Sequence, residues 1–403
     1  MTADPGGTRE RWLLATLAGV QFSTLLDFML LLPLGAQLMR LFDVTPTQFG
    51  VLISTYMVTA SAVGFAAAFL IDRFDRRTAL LALYACFALT TLLTATAQDY
   101  LWLLLARATA GAFGGVVAAT VLAIVGDTIA EGRRGHALGI VMSAFSIASI
   151  AGIPLSLYLA AHWSWRAPFF CLTALCVAIL TAAARAIPRV HGHIEAARGR
   201  SALAQAHAVF ADRNHLRALG VTVLINFSGF TVVPFIAPYL VANVGIAETE
   251  LAITYFCGGL AALAVTRLVG RLTDLHGRRR VFTFAASASV VAIFITTHLP
   301  PAGLWIAAAS QMLLFSAFSG RFVPGMAIVT GAASPQLRGS FMSFNAALQQ
   351  LAAGVASFVA AAIIEKGAGG ELLRFGTVGW LSIAATLAAV AVAARVHSTR
   401  AAT

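Results

Sequence analysis

Asp274-Leu275-His276-Gly277-Arg278-Arg279 and, 202 residues earlier, Asp72-Arg73-Phe74-Asp75-Arg76-Arg77 are two versions of one charged loop set between long apolar runs. Ala123-Ile124-Val125 through Arg134-Gly135 returns as Ala327-Ile328-Val329 through Arg338-Gly339 at an offset of 204, and Pro33 returns as Pro234 at 201. Three independent matches at nearly one offset, close to half of the 403 residues, point to a duplicated unit. The sequence around the loops says what that unit is made of. It is 59% hydrophobic and only 11% charged, where soluble domains run near 25% charged. That composition excludes a soluble enzyme. The apolar runs are long and unbroken rather than short and alternating, so they predict membrane-spanning helices and not a barrel.

Apolar runs between charged or turn-rich breaks give twelve spans: 12–39, 48–71, 78–97, 101–126, 136–161, 167–187, 216–243, 251–273, 281–299, 304–331, 340–364 and 373–396. The organisation expected is an all-α membrane protein with a six-helix bundle over 12–187, a linker over 188–215 and a second six-helix bundle over 216–396. The run from Trp12 to Met39 follows Arg9 and Arg11; it is too long for a signal-peptide core and reads as the first span. The net charge of +11 is topological rather than a nucleic-acid surface, because basic residues of such proteins collect in cytoplasmic loops. About 20 of the 27 basic residues fall in alternate loops that also hold both termini, against Arg40, Arg166, Lys366 and Arg374 on the other side. Both termini are therefore expected in the cytoplasm. In the linker, Leu203, Ala206 and Phe210 recur at helical spacing, which fits either an amphipathic helix on the membrane surface or a solvated connection. The four cysteines show no metal or disulfide spacing and read as small hydrophobes.

Of sixteen acidic residues only Asp27 lies deep in a span, roughly 22 Å from its cytoplasmic end at 1.5 Å per residue. A carboxylate at that depth is costly and marks a partner or a cavity. Ser23 and Thr24 lie one turn back on the same face. Desolvation favours the neutral carboxyl and a nearby arginine the charged one, which suits uptake and release of a proton. Arg107, roughly 9 Å into span 4, is the expected partner. Arg321 beside Pro324-Gly325 is too deep to snorkel, and Arg267 lies close enough to the cytoplasmic end to do so. Asn226, Gln311, Asn345 and Gln349 are neutral polar candidates for a substrate cavity, or for bonds between helices. Spans 3, 6, 9 and 12 carry almost no charge and read as lipid-facing struts. No zinc motif, nucleotide loop or intramembrane Ser–His arrangement occurs, so no cofactor, metal or enzymatic activity is expected.

The chain resembles the major facilitator superfamily over nearly its whole length. That family's loop signature is Gly-x-x-x-Asp-(Arg/Lys)-x-Gly-(Arg/Lys)-(Arg/Lys). Here Gly270, Asp274, Gly277, Arg278 and Arg279 follow it, with Leu275 at the first basic position; the first copy keeps Asp72, Arg73, Arg76 and Arg77, with Ala68 and Asp75 replacing the glycines. Arg107 and Gly111 are similar to the family's Arg-x-x-x-Gly motif in span 4, and Gly152-Ile153-Pro154 looks like a reduced form of the Gly-Pro motif of its proton-coupled exporters. The resemblance implies two parallel six-helix halves, spans 1 and 4 adjacent, and span 10 on a central cavity where Arg321 would meet an anionic substrate group. It also implies a cytoplasmic gate, here Asp72, Arg73, Arg76, Arg77, Asp127, Arg134, Asp274, Gly277, Arg278 and Arg279.

The function expected is secondary transport by alternating access, as proton-coupled efflux of a small organic solute, with Asp27 carrying the proton. Importing an anionic metabolite by symport is the rival, because three intramembrane arginines face one aspartate. A transporter-like sensor is the other. The partners expected are a small-molecule substrate, protons and the lipid of a bacterial inner membrane, with no nucleic acid and the chain a monomer.

Overall fold

Twelve helices long and apolar enough to cross a membrane stand among the described residues of the computed structural model, which are 7–67, 75–188, 202–334 and 337–398. They are span 1 (Thr8–Leu31), span 2 (Pro46–Ala67), span 3 (Arg76–Ala95), span 4 (Tyr100–Thr128), span 5 (Arg134–His162) and span 6 (Ala167–Ala186). Span 7 (Arg213–Val244), span 8 (Glu248–His276), span 9 (Arg278–Thr297), span 10 (Leu304–Ala332), span 11 (Arg338–Ile363) and span 12 (Phe375–Ala393) complete the set. Several helices run past the apolar stretch into charged residues, because a helix end in the water layer needs caps rather than apolar side chains. The Asp75 carboxylate accepts from the Thr78 amide at 2.9 Å, Asp99 from Trp102 at 2.8 Å, and Asp212 from Asn214 at 2.7 Å, opening spans 3, 4 and 7.

The expectation of one unbroken first span over 12–39 is corrected. The helix starts at Thr8, stops at Leu31, turns through Leu32–Leu34 and resumes as Gly35–Leu41. Pro33 lacks an amide hydrogen and its ring crowds the carbonyl four residues back, which ends the helix there. Pro234 and Pro238 do not break span 7. The Phe230 carbonyl, left without its amide by Pro234, lies 3.4 Å from the Ser357 hydroxyl of span 11, so a neighbouring side chain meets the freed acceptor.

The helices form two compact units: residues up to Leu31 with those from Thr59 into the central loop, and Leu32–Val58 with the residues after that loop. In the first, span 1 packs on spans 4, 5 and 6, and span 3 on spans 4 and 6. In the second, span 7 packs on spans 10, 11 and 12, and span 9 on spans 10 and 12. The second set is the first shifted by six, the three-dimensional counterpart of the sequence repeat. A Cβ on Gly115 would sit 2.7 Å from the Ala60 carbonyl oxygen, so spans 2 and 4 touch backbone to backbone at that glycine. The second unit includes the segment Leu32–Val58, where the Phe49 and Phe235 rings meet edge to face at 5.9 Å. There a Cβ on Gly50 would collide with the Ala361 methyl.

The linker helix, Ala202–Ala211, packs on spans 7 and 11. Val209 is fully buried and the Phe210 ring lies 5.0 Å from that of Phe344. Val209 and one side of the Phe210 ring thus dock this helix on protein, with Phe210 still partly exposed. The side chain of Leu203, and Arg189, Arg198 and Arg200, lie outside what is described.

Candidate functional site

Asp27 has no exposed surface, and Arg107 has 1%. Arg107 Nη1 donates to Asp27 Oδ2 at 2.9 Å and Nη2 reaches the Asp27 carbonyl oxygen at 3.4 Å. The Thr91 hydroxyl of span 3 donates to Asp27 Oδ1 at 3.3 Å. Asp27 lies about 28 Å along its helix, one turn before its end at Leu31, and the pair is held between spans 1, 3 and 4. One turn back, the Ser23 hydroxyl shares a 2.7 Å bond with the buried Tyr84 hydroxyl of span 3, and Thr24 donates to the Val20 carbonyl. Burying two full charges costs several kcal/mol per ion before their attraction is counted. The pair is stable as a pair; either partner alone is not.

Gly152 brings span 5 against this region. It ends a π-helical turn, Ala148–Gly152, just before Pro154, and a Cβ there would lie 2.8 Å from Leu26 Cδ1. Leu26 is the residue next to Asp27. The Gly-Pro pair thus has a mechanical consequence: it lets span 5 close on span 1 beside the carboxylate.

Arg321 is 2% exposed and sits inside the second unit. Its Nη1 donates to the Thr386 hydroxyl of span 12 at 2.6 Å and to the Ser289 hydroxyl of span 9 at 3.2 Å, and its guanidinium carbon stands 4.5 Å over the Phe318 ring. Thr386 continues the chain to Ser228 at 2.7 Å, and Ser228 to Ser382. No carboxylate pairs with Arg321 among the described residues. Arg267, by contrast, is exposed. The neutral candidates separate. Asn345 is buried and its Oδ1 accepts from the Thr222 hydroxyl at 2.5 Å; Asn226 donates to the Thr222 carbonyl at 2.8 Å. Gln349 points at the Met326 sulfur, 3.4 Å away. Gln311 is fully buried with neither amide atom hydrogen-bonded.

Among the loop residues, Asp72 and Arg73 lie outside the described residues. Arg76 Nε pairs with Asp127 Oδ2 at 3.1 Å, Arg77 donates to the Ala184 carbonyl at 2.5 Å, and Arg134 to the Ile129 carbonyl at 3.0 Å. In the repeat, Arg278 donates to the Ala327 carbonyl at 2.9 Å and Arg279 to that of Val396 at 2.7 Å. Asp274 is exposed, and Gly277 takes φ +84° between spans 8 and 9, a backbone shape that favours glycine. Each of these bonds closes within one unit, tying the ends of neighbouring spans, with cations on helix C-terminal carbonyls where the dipole favours them.

Several participants escape a reading of the sequence. Thr91 and Tyr84 in span 3, Ser289 in span 9, and Ser382 and Thr386 in span 12 belong to the spans expected to be plain lipid-facing struts. Those helices do turn Leu89, Phe284 and Leu387 outward; their other faces supply the hydroxyls that meet Asp27 and Arg321. Serine and threonine bond their own helix so readily that their presence alone carries no signal. Glu10, bidentate to Arg133 at 2.9 and 3.0 Å, is another that only the fold reveals.

Known proteins share this architecture. Over 72% of this chain and 73% of its relative, it is 22% identical to an uncharacterized MFS-type transporter, YbcL, of Bacillus subtilis. It is 25% identical to a chloramphenicol resistance protein of Streptomyces lividans over 49% of this chain and 50% of that one. It is 22% identical to a probable sugar efflux transporter of Pasteurella multocida over 64% and 63%. Among solved structures, the nucleoside transporter NupG superposes with a TM-score of 0.76 at 12% identity, covering 96% of this chain and all of that one. A D-xylose-proton symporter superposes at 0.74 and 16%, covering 94% and 96%. The sequence model of the Major Facilitator Superfamily matches residues 17–219 and again 218–402, once for each half of the repeat. With twelve apolar helices, a helix pairing used twice and a family match spanning both halves, this chain belongs to the Major Facilitator Superfamily as a multi-pass membrane transporter.

Proposed function

We propose that the protein exports a small organic solute in exchange for protons, with Asp27 as the proton carrier and Arg107 as its counter-charge. The observation that carries this reading is the 2.9 Å ion pair with both side chains shut away from solvent. Protonating Asp27 cancels its attraction for Arg107 and leaves a guanidinium, which cannot shed its charge, in an apolar interior. The first unit then gains by rearranging until that charge finds water or another partner, and deprotonation reverses the preference. A proton gradient is thereby coupled to conformation, which alternating access requires. Gly152 lets span 5 follow the movement of Leu26 beside the carboxylate. Efflux is favoured over import by the Gly-Pro pair in span 5 and by relatives described as a chloramphenicol resistance protein and as sugar efflux transporters. The excess of arginine in alternate loops supports both termini in the cytoplasm of a bacterial inner membrane. The intra-unit bonds of Arg76, Arg77, Arg134, Arg278 and Arg279 brace the cytoplasmic ends of the spans, and the duplicated fold suffices as a monomer.

Proteoliposomes with an imposed pH gradient test the coupling, with chloramphenicol and a hexose among the solutes. Wild type accumulates solute against its gradient; Asp27→Asn retains only downhill exchange. Uphill transport by Asp27→Asn at the wild-type rate refutes the assignment of the proton to this residue.

A further inference from the structure

The two copies of the charged loop differ in their acidic residues. In the first, the Asp75 carboxylate caps span 3 at the Thr78 amide, and Asp127 pairs with Arg76 at 3.1 Å. At the repeat offsets of 202 and 204, those two aspartates return as Gly277 and Gly331, while Arg76 and Arg77 return as Arg278 and Arg279. The cations are kept and the carboxylates that answer them are lost. A Cβ on Gly331 would collide with Arg278 Nη1, so that guanidinium lies against the position that carries the carboxylate in the first copy. Gly277 offers no side chain to the start of span 9, and the first turn of that helix holds no acidic residue. Arg278 Nη1 is spent on the Ala327 carbonyl and Arg279 Nη2 on that of Val396. Neither arginine has an ion pair among the described residues. Asp274, the acidic residue nearest to them in sequence, is exposed and forms none there either.

These two side chains line a cavity of about 220 Å³. Ile328 and Val396 give it buried apolar surface, and His397 and Ser398 add donors to those of the arginines. No acidic residue lines it. The segment carrying His397 is fixed from span 7: Asn214 accepts from the His397 amide and donates to its carbonyl, both at 2.8 Å, and Arg217 donates to the Arg395 carbonyl at 3.3 Å. The His397 imidazole and the Ser398 hydroxyl make no bond among the described residues. The donors are thus placed by bonds that leave part of their hydrogen-bonding capacity unused. Two guanidiniums without a carboxylate draw an anion. Several donors in one cavity suit a phosphate group, with three acceptor oxygens, better than a carboxylate with two. Basic pockets between helix ends at a membrane surface are also where lipid phosphates lie.

We propose that this cavity binds a phosphate oxyanion, from a lipid headgroup or a soluble phosphate. It supplies to the second unit the negative charge that Asp127 supplies to the first, and it ties the start of span 9 to the segment after span 12. The site stands independently of the proton-coupling reading.

The test uses purified full-length protein in nanodiscs of phosphatidylcholine alone, titrated with inorganic phosphate, or with chloride at matched ionic strength. Calorimetry and the thermal midpoint are the readouts. Discs containing phosphatidic acid, a phosphomonoester lipid, separate the two sources. If a soluble phosphate fills the cavity, phosphate raises the midpoint in both kinds of disc and chloride does not. If a headgroup fills it, phosphatidic acid raises the midpoint by itself and added phosphate then has no effect. Gly331→Asp restores the carboxylate of the first copy and is expected to weaken the response by about tenfold or more, the scale of one charge-assisted hydrogen bond. The double variant His397→Ala/Ser398→Ala is expected to do the same while keeping both arginines and the backbone bonds to Asn214, so it carries the test if Gly331→Asp prevents folding. Arg374→Gln, at an exposed hairpin pair with Glu365, leaves the response unchanged. The proposal is overturned if neither phosphate nor phosphatidic acid acts more strongly than chloride, or if either folded variant responds as wild type does.

Discussion

Replacing Asp27 by asparagine keeps the shape of the side chain and deletes its charge, leaving Arg107 at 1% exposure with a neutral partner. Breaking a buried pair from one side costs about 3–5 kcal/mol, whereas removing both charges together is close to neutral. The first unit, which includes span 1 and spans 3–6, unfolds on a scale where 1 kcal/mol moves the midpoint by roughly 2–4 °C. Asp27→Asn should therefore lower the thermal midpoint by roughly 6–20 °C. Arg107→Gln should cost less, because a lone carboxyl is neutralised by taking up a proton and a lone guanidinium has no such escape. The double variant Asp27→Asn/Arg107→Gln should return to within a few degrees of wild type, a non-additivity diagnostic of direct coupling. Thermal unfolding of the four purified proteins, in one detergent at one ionic strength, reads all three quantities. Additive effects of the two single substitutions would refute the claim that these charges depend on one another. A salt-sensitive effect would also refute it, since a pair this deep is screened little by added salt.

Gly50→Leu should destabilise the packing of the segment Leu32–Val58 within the second unit far more than Gly64→Leu. The first glycine faces Ala361 and the second has nothing within 4 Å; paired thermal midpoints check this. Gly152→Val should slow proton-driven transport more than Gly139→Val, because only the former pushes on Leu26 beside Asp27; initial rates in vesicles at one protein density decide it. Tyr84→Phe removes the hydroxyl from Ser23 while Ser23 keeps its bond to the Val20 carbonyl. It should cost about 1 kcal/mol of stability, seen as a small midpoint shift with transport intact. A large loss of transport from that change would place Tyr84 in the coupling machinery.

The twelve spans are legible in the sequence because the bilayer imposes a length and an apolar composition on each, and the duplication is legible in three offsets that agree. Helix ends are less so. Arg76, Arg213 and Arg278 begin helices that an apolar scan starts two or three residues later, since propensity and capping, and not hydropathy, govern the residues in the water layer. Pro33 ends a helix while Pro234 does not, a difference that lies in the neighbours: Ser357 is present to meet the carbonyl freed by Pro234. The meeting of Asp27 and Arg107 is foreshadowed by their depths, because residues far along in sequence but level in the membrane are the ones that facing helices bring together.

Composition and periodicity by themselves determined the membrane, the number of crossings and the repeat. Those properties follow from transferring each segment separately into lipid, a sum over local residues. Which side chain faces which depends on helix rotation and packing, and no local sum contains that. Only the tertiary structure decided that Thr91 and Tyr84 turn inward from a span that looks like a strut. It alone decided that Arg321 is met by hydroxyls of spans 9 and 12. The +11 of the chain sorts in the same way. Most of its loop arginines are a matter of sequence position; the two guanidiniums buried within the spans, Arg107 with a carboxylate and Arg321 with none among the described residues, acquire their different chemistry from the helices packed around them.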